Sequence, residues 1–187
     1  MSTSTFKRQA GAFSAGLFGI ALLGTVIAQP ASASAAAVLT CNGLVATIHQ
    51  SVVLPQDSPG SDVIIGTSNA DSIQAGNGND TICGLDGADV ITGGNGSDWV
   101  SGGGNPDDLT GGGGADIIHG NEGPDRLYGG DGDDLLLGGT GDDALRGEAG
   151  DDGLHCGDGN DNANGGSHVG GDFLSPAAAC EIVVGLP

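Results

Sequence analysis

The chain has 187 residues, of which 39 are glycine and only 3% are aromatic, and its 24 acidic residues face four Lys and Arg for a formal net charge of −20. So few large apolar side chains exclude a large aromatic core, and they mark a chain that cannot offset its own ordering entropy unaided. Such an acidic balance also excludes nucleic acid and anionic lipid as partners and calls for cations.

Reading from the N-terminus, Lys7 and Arg8 precede an apolar stretch from Ala10 to Ile27. Ala31-Ser32-Ala33 or Ala33-Ser34-Ala35 then fits the small-x-small pattern of a secretory cleavage site. Residues 1–33 therefore read as a signal peptide, and no second apolar run of spanning length follows. The expectation is a secreted, extracellular chain without membrane insertion. Cleavage leaves Arg126 and Arg146 as the only basic residues against 24 acids, a balance of −22 over about 150 residues, which is one domain. Residues 34–59 form an N-terminal cap segment, in which Leu44-Val45-Ala46-Thr47-Ile48 reads as a capping strand and Leu54 to Pro59 as a loop.

From there an aspartate recurs every nine residues without a miss, at Asp62, Asp71, Asp80, Asp89, Asp98, Asp107, Asp116, Asp125, Asp134, Asp143, Asp152 and Asp161. Set in register, residues 66–164 are eleven nonapeptides without insertion, with Asp in the sixth position of each. The eighth position reads Ile73, Ile82, Ile91, Val100, Leu109, Ile118, Leu127, Leu136, Leu145, Leu154 and Ala163. A degenerate unit with Asp62 precedes them. Another follows if His168 and Val169 are a two-residue insertion, which brings Asp172 into register.

Side chains alternate faces along a strand, so one inward aliphatic between two outward residues is the shortest strand that buries anything. Six turn residues are expected after each such strand. Their glycines permit positive φ and let carbonyls converge on one point, and the aspartate supplies a charged oxygen. Hard divalent cations such as Ca²⁺ take several such oxygens in flexible geometry. The twelve aspartates of the nine-residue series, with Asp172, are the thirteen candidate metal ligands.

This pattern resembles the repeats-in-toxin (hemolysin-type) nonapeptide GGxGxDxUx, with U a large aliphatic. The resemblance implies an all-β fold, a right-handed parallel β-roll (β-solenoid) over 60–175 with two repeats per turn and Ca²⁺ between loops of successive turns. It stacks Asp71, Asp89, Asp107, Asp125, Asp143 and Asp161 on one edge, and Asp80, Asp98, Asp116, Asp134, Asp152 and Asp172 on the other. Up to roughly ten Ca²⁺ would be held if every pair of stacked loops is used. Carboxylates about 4.8 Å apart repel by about 0.9 kcal/mol in water, so the metal-free chain is expected to be largely disordered and to fold as calcium binds. Thr67 and Asn69, and again Asn105 and Pro106, break the glycine pattern, and those loops are expected to bind weakly or not at all. Pro124 is tolerable if its position makes no ladder bond.

Four cysteines in an exported chain pair in one of three ways. In the implied roll about four turns separate Cys83 from Cys156, which favours Cys41–Cys83 with Cys156–Cys180. The competing long-range set needs both end segments to run the length of the roll. Residues 176–187 read as a C-terminal cap.

No enzymatic activity is expected. His49, His119, His155 and His168 are the only candidate general bases among histidines, and no partner is implied for any of them. The glycine-rich strings lack the lysine of a P-loop, and the best EF-hand match, at Asp158, has Ala163 and Val169 where a glycine and a glutamate belong. Trp99 and Tyr128 read as isolated exposed aromatics. The seventh positions, Ser72, Thr81, Val90, Trp99, Asp108, Ile117 and Arg126, form no repeating face. The functional expectation is a secreted calcium-binding protein, with an extracellular adhesin or matrix protein that displays a partner-binding face as the rival.

Overall fold

The computed structural model describes residues 40–45, 48–49, 58–167, 173–174 and 180–182, all within the compact unit Ala37–Pro187. The leader, Asp172, His168 and most of the C-terminal cap lie outside the described residues. Among those described there is no helix.

The chain opens with a hairpin. Strand β1 (Thr40–Cys41) pairs antiparallel with β2 (Leu44–Val45) across Asn42 and Gly43, both at positive φ, the conformation a two-residue hairpin turn demands. Three short strands follow, β3 (Ile48–His49), β4 (Ser58–Pro59) and β5 (Val63–Ile65). Ten strands then repeat at nine-residue intervals: β6 (Ser72–Asn77), β7 (Thr81–Asp86), β8 (Val90–Asn95), β9 (Trp99–Gly104), β10 (Asp108–Gly113), β11 (Ile117–Glu122), β12 (Arg126–Asp131), β13 (Leu135–Thr140), β14 (Ala144–Ala149) and β15 (Gly153–Asp158). Strands β16 (Asp161–Ser167), β17 (Phe173–Leu174) and β18 (Cys180–Ile182) complete the chain.

Alternate strands share a sheet. The even series from β4 to β18 forms one eight-stranded sheet and the odd series from β3 to β17 the other. Pairing in the repeats is parallel, each residue facing the one 18 positions on, as Ile91, Leu109 and Leu127 do. The result is a parallel β-solenoid of about six turns, a β-roll with two nonapeptides per coil. At the far end Leu154 faces Leu174, a step of 20, so the chain does carry two extra residues there, as the sequence register requires.

The eighth-position aliphatics form the core, from Ile73 to Ala163, each 2% exposed or less. Two features differ from the sequence expectation. The strands run six residues, not three, because the first position of each following repeat also points inward: Ala75 and Cys156 are 1% exposed, and the first-position glycines from Gly66 to Gly147 are buried with them. The six expected turn residues thus shrink to three. The stretch expected as one capping strand over 44–48 is instead divided between β2, whose Leu44 and Val45 are exposed, and β3, which pairs with β5. Likewise Ser58–Pro59, expected in a loop, pairs with Gly76–Asn77 of β6.

Cys41 and Cys83 form a disulfide with Cα atoms 5.9 Å apart, so the hairpin is tied to β7. Cys156 is also disulfide-bonded, and the Cys180 side chain lies outside the described residues.

Candidate metal centres at the corners of the roll

From Asp80 to Asp152 each corner is a three-residue turn ending on the sixth-position aspartate. The second and fourth positions of the repeats supply the bend. From Gly76 through Gly166 every second-position residue has positive φ, and from Gly78 through Gly159 so does every fourth-position residue. Glycine takes this conformation at no steric cost, and asparagine more readily than other side chains. Asn105 is such a case, with φ 78°, so the Asp107 corner keeps the shape of its neighbours despite the substitution.

The aspartates from Asp62 to Asp161 line up in two columns, as the family resemblance implies. In one, the Asp62, Asp80, Asp98 and Asp116 amides each donate to Oδ1 of the aspartate one coil later, at 2.8 Å; Asp134 continues to Asp152 at 2.9 Å. In the other, Asp71, Asp89, Asp107, Asp125 and Asp143 donate in the same way up to Asp161. This ladder fixes each carboxylate and buries it: Asp71 through Asp161 are 5% exposed or less.

From Asp80 to Asp161 only one oxygen of each carboxylate is satisfied by the ladder, and Asp62 and Asp71, which begin the columns, only donate to it. Oδ2 of Asp62, Asp80, Asp89, Asp98, Asp107, Asp116, Asp125, Asp134, Asp143, Asp152 and Asp161 is buried without a hydrogen-bond partner. A buried carboxylate oxygen left unpaired is costly, and a row of them needs a compensating charge. Burial accordingly pushes the carboxyls of Asp107 and Asp134 up to about 7 and those of Asp98 and Asp125 up to about 6. The amide that each accepts works against the shift, and neighbouring carboxylates of the same column add to it.

The orphaned oxygens share their surroundings with carbonyls. A β-carbon built on Gly120 would lie 2.5 Å from both Asp125 Oδ2 and the carbonyl oxygen of Gly138 in the next coil. The same two kinds of oxygen converge at Gly84, Gly93, Gly102, Gly111, Gly129, Gly138 and Gly147. No group of three or more His, Cys, Asp or Glu side chains comes together among the described residues. The donors at a corner are therefore one or two carboxylates plus main-chain carbonyls, all hard oxygen, which fits Ca²⁺ and not a thiolate- or imidazole-seeking metal.

Three corners depart from this arrangement. At Asp80 and Asp161 the first position is Ala75 or Cys156, so a side chain fills the space that glycine leaves open elsewhere. At Asp71 the Oδ2 atom is hydrogen-bonded to Thr67. Pro106 and Pro124 cost nothing. The fifth-position amide takes no part in the backbone ladder; where the preceding coil offers a side-chain acceptor it donates there, as Asn79, Ser97, Ala115, Asp151 and Asn160 do.

The outward faces also sort by sheet, which reading the seventh positions as one series conceals. On the odd-numbered sheet Thr81, Trp99, Ile117 and Leu135 stack in register, beside Ser101, His119 and Leu137. Trp99 is not isolated: its ring lies 5.3 Å from that of His119, and burial lowers the His119 pKa.

The RTX calcium-binding nonapeptide repeat family matches the chain in six overlapping stretches, 57–91, 76–109, 92–127, 110–145, 119–154 and 128–163, together spanning 57–163. No curated protein and no solved structure matches it.

Proposed function

Because the chain belongs to the RTX calcium-binding nonapeptide repeat family, with more than half its length matched, we propose that it is a secreted protein whose activity is to bind a column of Ca²⁺ ions along each edge of its roll. The observation that carries this reading is the row of buried Oδ2 atoms without a hydrogen-bond partner, which from Asp89 to Asp152 converge with a main-chain carbonyl of the next coil. The corners of Asp89, Asp98, Asp107, Asp116, Asp125, Asp134, Asp143 and Asp152 combine that atom with a first-position glycine, and these would hold calcium. Bound there, the ion supplies the positive charge that the columns lack. Metal binding then supplies folding free energy, since the site exists only when successive coils are stacked.

Secretion is supported by the Cys41–Cys83 disulfide, which belongs in an oxidising compartment, and by the leader-like stretch 1–33. The segments 34–59 and 176–187 would cap a roll over 60–175, as solenoids require. Extracellular calcium near millimolar levels suits modest-affinity sites of this kind. No catalytic role is assigned to any residue.

Calcium titration of the refolded mature chain tests the reading. It should bind about eight ions, with strand content by circular dichroism rising in step. An unchanged strand-rich spectrum after chelation, or no uptake of calcium, would sink it.

One observation favours the display reading. In a chain this acidic, the seventh and ninth positions of the odd-numbered sheet from Thr81 to His155 carry no carboxylate, and they include Trp99, Ile117, Leu135 and Leu137; the exposed carboxylates of that sheet over the same span, Asp86 and Glu122, stand at third positions. If that face presents a partner-binding surface, retention on immobilised neutral polysaccharide or on whole cells should require calcium and be lost in Trp99→Ala.

A further inference from the structure

Residues 66–74 make the one full nonapeptide whose corner is closed by the chain itself. Asp71 Oδ2 accepts the amide of Thr67 at 2.6 Å and its hydroxyl at 3.0 Å, whereas the sixth-position aspartates from Asp80 to Asp143 leave Oδ2 without a hydrogen-bond partner. The hydroxyl in turn accepts the amide of Asn69 at 3.2 Å, so one side chain ties the second, fourth and sixth positions together.

The backbone differs to match. Neither Thr67 nor Asn69 enters the left-handed region taken by the second- and fourth-position residues of the later repeats. Strand β5 also stops at Ile65, its pairing with β7 ending at Cys83, whereas in the repeat strands that follow pairing continues through the second and third positions. Asp71 still joins the column, donating its amide to Asp89 Oδ1 at 2.8 Å. The corner is thus a full member of the stack in which hydrogen-bond donors stand where the later corners have none.

We propose that the Asp71 corner takes no calcium: Thr67 supplies in donors what a cation supplies to the corners beyond it, and the roll begins on a metal-independent turn. This rests on the calcium-binding reading above. The disulfide reinforces it, because Cys83, one coil on from Ile65 in the same sheet, is linked to Cys41. Two covalent or hydrogen-bonded restraints therefore hold the N-terminal end where no metal is needed. In a solenoid each coil is stabilised by its neighbours, so a prewound end offers an edge on which calcium-loaded coils can add one at a time.

The test counts bound calcium per chain by equilibrium dialysis on the full mature chain with its disulfides oxidised, comparing wild type with Asp71→Asn and Asp89→Asn. The proposal expects Asp71→Asn to bind as many ions as wild type and Asp89→Asn to bind at least one fewer. Equal losses in both variants overturn it. A second variant guards against misfolding of the first: Thr67→Gly with Asn69→Gly, which restores the glycine pattern, should gain one ion, and an unchanged count overturns the proposal. A wild-type chain that takes up no calcium at all is a different failure, one that removes the underlying reading and this inference with it.

Discussion

Two kinds of residue set the energetics of a corner, the one that bends the chain and the one that carries charge. Leu85 occupies a second position with φ 86° and is 42% exposed, so it bears the left-handed strain without burying its side chain in return. Leu85→Gly should therefore raise the stability of the calcium-loaded roll by about 1 kcal/mol, part of the relieved strain being offset by the greater freedom of glycine in the unfolded chain. A shift of the urea midpoint upward at constant slope is the expected result. The charged residues respond to pH in the opposite sense to ordinary salt-bridged carboxylates. Asp98, Asp107, Asp125 and Asp134 have folded-state pKa values of about 6 to 7, raised from 3.8 chiefly by burial. Without metal the folded roll binds more protons than the unfolded chain, so the contribution of these groups to stability is fully present below about 3.8 and is lost as pH rises through 6 to 7. Strand content of the calcium-stripped chain should thus increase between pH 8 and pH 5, while calcium affinity, which competes with protons for the same oxygens, should fall. Circular dichroism and calcium titration across that range check both, and strand content that falls on acidification would contradict the first.

At the scale of the element, the nine-residue period made the coil legible because each position has one job. The alternation of inward and outward residues at positions six to nine was readable from Asp and the aliphatics alone. The continuation of the strand into the next repeat was not, because glycine carries no side chain to betray which way it points. Its one signal was size: the first position admits only glycine, Ala75 and Cys156 across eleven repeats, as an inward position crowded by carboxylate and carbonyl must. The two faces were obscured differently, since consecutive repeats lie on different sheets and only every second one is a neighbour. The roll implied by the resemblance, in which Cys83 lies about four turns from Cys156, favoured a link from Cys83 to the N-terminal segment. That link closes a loop of 42 residues, and by chain entropy its removal should cost about 4 kcal/mol before any relaxation of the folded state. Cys41→Ser with Cys83→Ser should lower stability by about 2–4 kcal/mol at saturating calcium, measured by urea unfolding. A loss much smaller than that would mean that calcium already orders the segment the disulfide holds.

The described coils form a stack in which each interacts only with its neighbours, carrying a charge that opposes stacking along both edges. Such a chain is stabilised by linkage: a site held at 100 times its Kd contributes about 2.7 kcal/mol, so several sites together exceed the stability of an ordinary domain while any one of them is dispensable. Asp116 sits mid-column, its Oδ1 accepting the Asp98 amide and its own amide donating to Asp134. Asp116→Asn preserves an oxygen acceptor for that ladder but removes the charge at Oδ2. The variant should therefore still fold, at a higher calcium midpoint, and the outcome that discriminates is the shape of the transition. If coupling passes through the core column of Val100, Ile118 and Leu136 as well as through the metals, circular dichroism and Trp99 fluorescence will rise together in one step, because the weakened corner is still clamped by apolar contacts above and below. If the metals alone carry the coupling, the two halves of the roll will separate into two steps, with Trp99 reporting only the N-terminal one. The continuous burial of that core across all the described coils argues for the single step.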